Sequence, residues 1–209
     1  MYSALAIAFA TLAAATPVPQ ACSNPQDPLR VEATGLSPGS QIDGQSINAD
    51  LGSFTIGGRP TGIIPPPDGD VNAYANTTIF TYVNNQGDLG LSVAVPGGQR
   101  VFVDSGLSEA EGYYGGVLRY TEATTQEMDS GPPLYKGFTK GDDDILKYEG
   151  KDWIGCPVDS KGQVLSIYAA SRISPKIDQS AGCVDFQFKL NQDFDGPKEA
   201  WAYKFNPGA

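Results

Sequence analysis

From residue 53 onward, apolar and polar residues alternate in short runs that glycine, asparagine and aspartate residues separate. A period of two along the chain predicts antiparallel strands with one buried face. The pattern is clearest in residues 184–190, where one face would carry only apolar side chains: Val184, Phe186, Phe188 and Leu190. No segment shows convincing helical periodicity, so the sequence predicts an all-β fold.

The remaining runs bring the prediction to about eight to twelve short antiparallel strands. They include residues 78–83, 89–95, 117–120, 145–148, 164–169 and 201–205. A tight reversal is predicted at Pro96-Gly97-Gly98-Gln99. Short turns followed by apolar residues recur, as in Gly162-Gln163-Val164, and they favour a β-trefoil-like barrel over a β-sandwich.

Composition divides the chain into three segments. Residues 1–15 contain an Ala-rich apolar stretch that ends in Ala13-Ala14-Ala15, which predicts a secretion signal; a buried N-terminal helix is the alternative. Residues 16–39 are Pro-rich at their start and predict an extended leader, and residues 40–209 predict a single β domain. Within that domain, residues 57–75 lack a strand pattern and predict a long surface loop.

The chain is acidic, with 24 Asp and Glu residues against 14 Lys and Arg residues and a formal net charge of −10. This charge would repel nucleic acid and anionic membranes, so neither is an expected partner. No segment after the predicted signal reaches the roughly 18 apolar residues that a membrane span needs. We expect a secreted monomer, found in the medium or in the cell wall.

Three cysteines follow the predicted signal, and in an oxidising compartment two of them are expected to pair. We predict a disulfide between Cys156 and Cys183, because both lie in the C-terminal half whereas Cys22 lies among prolines. Cys22 would then be free, removed by processing, or linked to another molecule. The sequon Asn76-Thr77-Thr78 predicts N-glycosylation of Asn76 in a secreted chain.

Candidate chemistry is narrowed by the complete absence of histidine from the sequence. Ser-His-Asp triads and HExxH zinc sites are therefore excluded. Asp142-Asp143-Asp144 and Asp68-Gly69-Asp70 lack the spacing of an EF-hand calcium loop. We predict no catalytic residue, no metal site, no cofactor and no enzyme activity.

An aromatic pair, Tyr113 and Tyr114, lies between glycines in a loop-like setting. Exposed aromatic rings stack on sugar rings, so these two residues are the candidate ligand-binding residues, with cell-wall polysaccharide as the ligand. Core packing is the alternative, because tyrosines in β proteins are commonly half-buried. Trp153 and Trp201 are predicted to be core residues, since each lies beside apolar strand sequence.

Several stretches carry a resemblance to a known family: Ser46-Ile47-Asn48-Ala49, residues 52–58, residues 95–104, Trp153-Ile154-Gly155-Cys156-Pro157 and Cys183-Val184-Asp185-Phe186. Together they resemble the fungal phialide cell-wall protein family, the PhiA-like secreted wall proteins that include IgE-binding allergens. Cys156 and Cys183 match the late cysteine pair of that family. The chain departs from the family after Gly57-Gly58, where it lacks the additional cysteines that members often carry.

The resemblance implies a non-catalytic, secreted cell-wall glycoprotein with a structural, developmental (conidiation) or stress-protective role. A glycan-binding module or secreted effector is the first alternative, acting through Tyr113, Tyr114 and residues 57–75. A glycoside hydrolase that uses two carboxylates is the second alternative, although the candidate acids lie in turn-like sequence where solvated side chains are expected.

Overall fold

The computed structural model describes residues 29–63, 77–83, 87–106, 115–123, 132–158, 160–175, 177–178, 180, 182–192 and 200–204. These residues form strands and turns, without a helix among them. The strands are β1 (Leu29–Leu36), β2 (Ile47–Asp50), β3 (Ser53–Ile56), β4 (Gly62–Ile63), β5 (Phe80–Val83), β6 (Asp88–Leu91), β7 (Gln99–Asp104), β8 (Leu118–Tyr120), β9 (Pro133–Leu134), β10 (Phe138–Lys140), β11 (Ile145–Tyr148), β12 (Trp153–Pro157), β13 (Leu165–Ala169), β14 (Val184–Asn191) and β15 (Ala202–Tyr203).

Nine of these strands pair in a closed circuit. Its order is β1, β5, β6, β7, β8, β3, β13, β12 and β14, and β14 pairs back with β1. Every pairing is antiparallel; β11 and β10 extend from β14, while β15 and β4 form a separate two-stranded sheet. The all-β prediction is confirmed. The preference for a trefoil-like barrel over a sandwich stays a prediction.

The core follows the alternation seen in the sequence. In β14, Phe186, Phe188 and Leu190 are buried, whereas Asp185 and Gln187 are exposed, as the period of two predicts. Aromatic rings connect the strands through the interior. Phe80 contacts both Phe54 and Phe188, with ring centroids 5.2 and 5.6 Å apart. Contacts of this kind stabilise a core beyond the area that they bury.

Trp153 lies at the centre of this core and is fully buried, as predicted. Its ring contacts Phe188 at 5.6 Å between centroids, and its indole Nε1 donates a hydrogen bond of 2.7 Å to the carbonyl of Leu146. The buried indole is therefore satisfied. Trp201 differs, because it is only half-buried beside the last strand. The prediction that Trp201 is a core residue is wrong to that extent.

Two predicted boundaries need correction. Strand β1 lies inside the segment assigned to the leader, pairs with β5 and β14, and buries Val31 and Ala33. Residues 29–36 are therefore part of the folded sheet, and the rest of the predicted leader before Leu29 lies outside the described residues. Residues 57–75 contain the two-residue strand β4, and residues 64–76 lie outside the described residues.

Candidate functional site

A buried charge pair lies where β7 ends beside β8. The carboxylate of Asp104 is fully buried, and its Oδ2 lies 3.2 Å from Nε of Arg119, which is 17% exposed. The geometry of the two atoms is not that of a hydrogen bond, so the contact is an ion pair. Oδ1 of Asp104 accepts a hydrogen bond of 2.9 Å from the backbone N–H of Gly106. Asp104 therefore orders the chain that follows β7.

Asp104 also contacts the described residues that follow the segment with the tyrosine pair. Gly116 donates its N–H to the carbonyl of Asp104 at 2.7 Å, and Asp104 donates to the carbonyl of Val117 at 2.9 Å. Gly115 lies so close to Ser105 that a Cβ atom at Gly115 would sit 2.7 Å from the Ser105 carbonyl oxygen. Ser105 and Gly115, which lie on either side of residues 107–114 in the chain, are therefore close together. Tyr113 and Tyr114 themselves lie outside the described residues.

A third tyrosine lies next to the charge pair. Tyr168 is half-buried on β13, and burial raises the pKa of its phenol, against a hydrogen bond from Ser166 and the positive charge of Arg119, which both lower it. Val117 pairs with Tyr168 in an isolated bridge.

Sequence reasoning missed Asp104, Arg119 and Tyr168. A charged residue at the end of an apolar strand, as in Val101-Phe102-Val103-Asp104, was the available signal.

A second charged and aromatic group covers the outside of β6 and β7. The guanidinium carbon of Arg100 lies 3.7 Å from the ring centroid of Tyr135, and the Tyr135 ring also contacts Phe102 edge-on. Asp88 forms ion pairs with Arg100, at 3.5 Å, and with Lys136. One face of the Tyr135 ring is therefore occupied by a cation of the same chain.

The acidic turn, which we define as residues 142–144, is built from internal contacts. Oδ1 of Asp144 lies 2.8 Å from Nζ of Lys140, and its Oδ2 lies 3.9 Å from Nζ of Lys189. The hydrogen bond from Lys140, with further help from Gln192, holds the pKa of Asp144 below its ordinary value. Oδ1 of Asp143 accepts the N–H of Ile145. Within the described part of the chain, no group of three or more acids or cysteines is arranged to hold a metal ion.

Glu149, at the end of β11, also has a basic partner. Its carboxylate receives two hydrogen bonds from the guanidinium of Arg172, and these bonds lower the pKa of Glu149 and raise that of Arg172. Both side chains are exposed to solvent. The pair therefore joins the β11–β12 turn to the chain that follows β13, and it contributes little free energy.

A model of the PhiA-like secreted protein family matches residues 31–204. The chain belongs to the PhiA-like secreted protein family. Comparisons with curated proteins and with solved structures found no match. Membership of the PhiA-like family confirms the resemblance seen in the sequence and supports secretion, and the family is not a known enzyme family.

The predicted covalent link of this PhiA-like protein is present. Cys156 on β12 and Cys183 before β14 are bonded through their sulfur atoms, with Cα atoms 4.1 Å apart. The neighbouring residues Gly155 and Val184 pair in the sheet, so the disulfide joins adjacent strands. Cys22 lies outside the described residues.

The sequon of this PhiA-like protein is described only in part. Asn76 lies outside the described residues, whereas Thr77 and Thr78 begin the chain that leads into β5. Thr77 donates a hydrogen bond of 2.6 Å to Glu32, and the buried hydroxyl of Thr78 accepts a bond of 2.8 Å from the N–H of Ala49. The sequon hydroxyl therefore has a structural role in the folded protein.

In the described residues, no helix is long and apolar enough to cross a membrane.

Proposed function

We propose that this protein is a non-catalytic, secreted glycoprotein that is retained in the fungal cell wall by non-covalent contact with polysaccharide. Its role is structural, developmental (in conidiation) or protective against stress. Membership of the PhiA-like secreted protein family supports export. The closed circuit of strands and the disulfide between Cys156 and Cys183 support a stable scaffold outside the cell.

The non-catalytic part of the proposal is carried by one observation, which is that several acidic side chains are paired with basic ones. Asp88, Asp104, Asp144 and Glu149 each form an ion pair with lysine or arginine. A glycoside hydrolase needs two carboxylates that face each other across the scissile bond, one of them with a raised pKa. Cations beside Asp144 and Glu149 lower their pKa values instead, and the acid whose pKa burial raises, Asp50 on β2, is not among these ion-paired residues. These acids support the fold and suit a holding function.

Fractionation of cultures tests the location. The tagged protein should be found in the medium and in a wall fraction from which hot detergent releases it, because the proposed contact is non-covalent. A cytosolic marker protein serves as the control for cell lysis. Finding the protein only inside intact cells would end the proposal.

Incubation with a panel of wall polysaccharides tests the absence of catalysis. We expect no release of reducing sugar above that of a heat-denatured sample. Turnover that one amide substitution abolishes, for example Asp104→Asn with fold retained, would instead establish the glycoside hydrolase alternative.

The glycan-binding alternative has one specific observation in its favour. The described residues on either side of residues 107–114, Gly106 and Gly116, are both hydrogen-bonded to Asp104. If Tyr113 and Tyr114 stack on sugars, the double variant Tyr113→Ala, Tyr114→Ala should lose retention on chitin or β-glucan. The matched variant Tyr113→Phe, Tyr114→Phe keeps both rings and should be retained. Equal retention of both variants would exclude stacking at this pair.

A further inference from the structure

The last described residues, 200–204, which we call the C-terminal segment, lie between two other segments of the chain. On one side, Ala202 and Tyr203 pair with β4, Trp201 donates to the carbonyl of Ile63 at 3.0 Å, and Lys204 donates to that of Thr61 at 2.9 Å. On the other side, the N–H groups of Ala94 and Val95 donate to the carbonyls of residues 200 and 201, both at 2.9 Å. The C-terminal segment is therefore hydrogen-bonded along both edges.

Gln99 binds the backbone of this segment from inside the protein. Its side chain, only 2% exposed, accepts the N–H of Tyr203 at 2.6 Å and donates to the carbonyl of Tyr203 at 3.0 Å. Its amide nitrogen also donates to the carbonyl of Thr121 at 2.9 Å. A side-chain amide that pairs with both backbone groups of one residue acts as a strand partner would.

Two tyrosines complete the recognition. The Tyr203 ring is buried, and its hydroxyl accepts the N–H of Ile79 at 3.2 Å and faces the carbonyl of Thr77 at 3.4 Å. The hydroxyl of Tyr120 donates to the carbonyl of Lys204 at 2.5 Å. The small side chains of Ala200 and Ala202 are buried as well. The residues around the C-terminal segment form a groove. This groove accommodates small side chains before a tyrosine and hydrogen-bonds the backbone of the segment along both of its edges.

We propose that this groove is a peptide-binding site, which takes the C-terminal segment of its own chain and, at high concentration, the same segment of a second copy. Addition of an extended strand to open strand edges is a general mode of peptide recognition. Exchange of an identical segment forms the same contacts between two chains as within one. The expected monomer is thus the dilute state, and exchanged dimers form where copies are crowded.

Peptide complementation in the full-length chain tests the groove. The variant Tyr203→Ala weakens the resident segment, and a synthetic peptide of residues 198–206 is then added. The wild-type peptide should raise Tm by about 5 to 10 °C at about one hundred times its dissociation constant. The same peptide carrying Tyr203→Ala is the control and should raise Tm little. Adding Gln99→Leu to the protein should abolish the rise.

Full-length Tyr203→Phe repeats the test with a smaller change, because only the hydroxyl is lost. If Tyr203→Ala does not fold alone, recovery of its β-sheet circular dichroism by the wild-type peptide replaces Tm as the readout. No effect of millimolar peptide on either variant would overturn the groove as a binding site.

Mixing two differently tagged wild-type chains tests the second copy as occupant. After incubation at millimolar concentration near Tm, mixed dimers should be captured through one tag, and an excess of the wild-type peptide should suppress them, whereas the control peptide should not. If the peptide binds the variants but mixed dimers never form, the second copy is the wrong partner.

Discussion

Both the hydrogen-bond network around Gln99 and Tyr203 and the acidic turn at residues 142–144 consist of polar side chains, but their environments are opposite. The first is neutral, buried and hydrogen-bonded by partners from distant parts of the chain. The second is charged and keeps partial contact with solvent, and Asp144 pairs there both with Lys140, four residues before it, and with the more distant Lys189. A buried group loses its water on folding, so each missing partner costs its full desolvation free energy. A charge pair that keeps part of its contact with solvent loses less.

We therefore expect the polar residues that are most conspicuous in the sequence to contribute least to the free energy of unfolding. Three consecutive aspartates suggest a cation site, yet Asp143 and Asp144 form contacts that stabilise a turn. The glutamine that follows Pro-Gly-Gly suggests no role in the sequence, yet its side chain binds the backbone of the last strand in the core. The following predictions test that contrast, beginning with the largest expected effect.

Gln99→Leu should produce the largest loss of stability. The substitution leaves the N–H and carbonyl of Tyr203 and the carbonyl of Thr121 without their partner, at about 1 to 3 kcal/mol for each buried group, so we expect a total of about 4 kcal/mol. Urea denaturation measures the free energy of unfolding. Gln187→Leu, on the exposed face of β14, is the matched control and should change it by less than about 0.5 kcal/mol. Similar effects for the two glutamines would contradict the assigned role of Gln99.

High pH should destabilise the buried network through Tyr120. Burial, the main cause, raises the pKa of Tyr120 from 10.0 to about 12. Because the folded pKa lies above the unfolded one, the stabilisation is complete below pH 10 and is lost as the pH rises towards 12, by on the order of 2 kcal/mol. Unfolding free energies between pH 9 and 11.5 measure this slope. Burial raises the pKa values of Tyr203 and Tyr168 as well, so Tyr120→Phe should reduce the slope without abolishing it. An unchanged slope would assign the effect to the other tyrosines.

Substitutions at the sequon should separate glycosylation from packing. Thr78→Val removes the acceptor for the N–H of Ala49 and should cost about 1 to 2 kcal/mol, and it also destroys the sequon. Asn76→Gln should remove only the glycan, and Thr78→Ser should keep both. Mass spectrometry before and after N-glycosidase treatment reports the glycan, and thermal unfolding reports stability. A wild-type secreted protein with no mass shift would refute glycosylation at Asn76.

The acidic turn should give the smallest effect. Asp144→Asn should destabilise by less than about 0.5 kcal/mol at pH 7, since this pair is near the surface. The lowered pKa of Asp144 means that its contribution is present above the ordinary value of 3.8 and is lost as the pH falls below it. The difference in stability between wild-type and variant should therefore shrink steadily as the pH falls below 3.8, and it should also shrink in 1 M NaCl. A difference that persists in acid would show that the effect is not electrostatic.

Local patterns located seven of the fifteen strands, namely β5, β6, β8, β11, β13, β14 and β15, and predicted the long-range contacts poorly. The alternation of Phe186, Phe188 and Leu190 fixes a buried face by itself, and the tight reversal at Pro96-Gly97-Gly98 is set by glycine, which adopts a φ of +86° at Gly97. Strand β1 was missed because Ala33 and Gly35 are small, and the prolines before Leu29 dominated the composition.

The candidate site was harder to predict for a physical reason. Gln99 is hydrogen-bonded to Tyr203, and Asp104 forms an ion pair with Arg119, so neither environment is local in sequence. The disulfide between Cys156 and Cys183 was predictable, because only three cysteines were available and one lay among prolines. Tyr113, Tyr114 and Asn76 lie outside the described residues and remain predictions.

The pairing of β1 with β14 determines when the newly made chain can complete its fold. Glu32, near the beginning, meets Asn191, near the end, and the circuit of strands cannot close until both have been synthesised. Structures that join such remote residues fold slowly, because the loop between them must be ordered first. Closure of the circuit buries Thr78 and Cys156, so we expect the oxidation of Cys156, and any sugar transfer to the predicted sequon, to precede it.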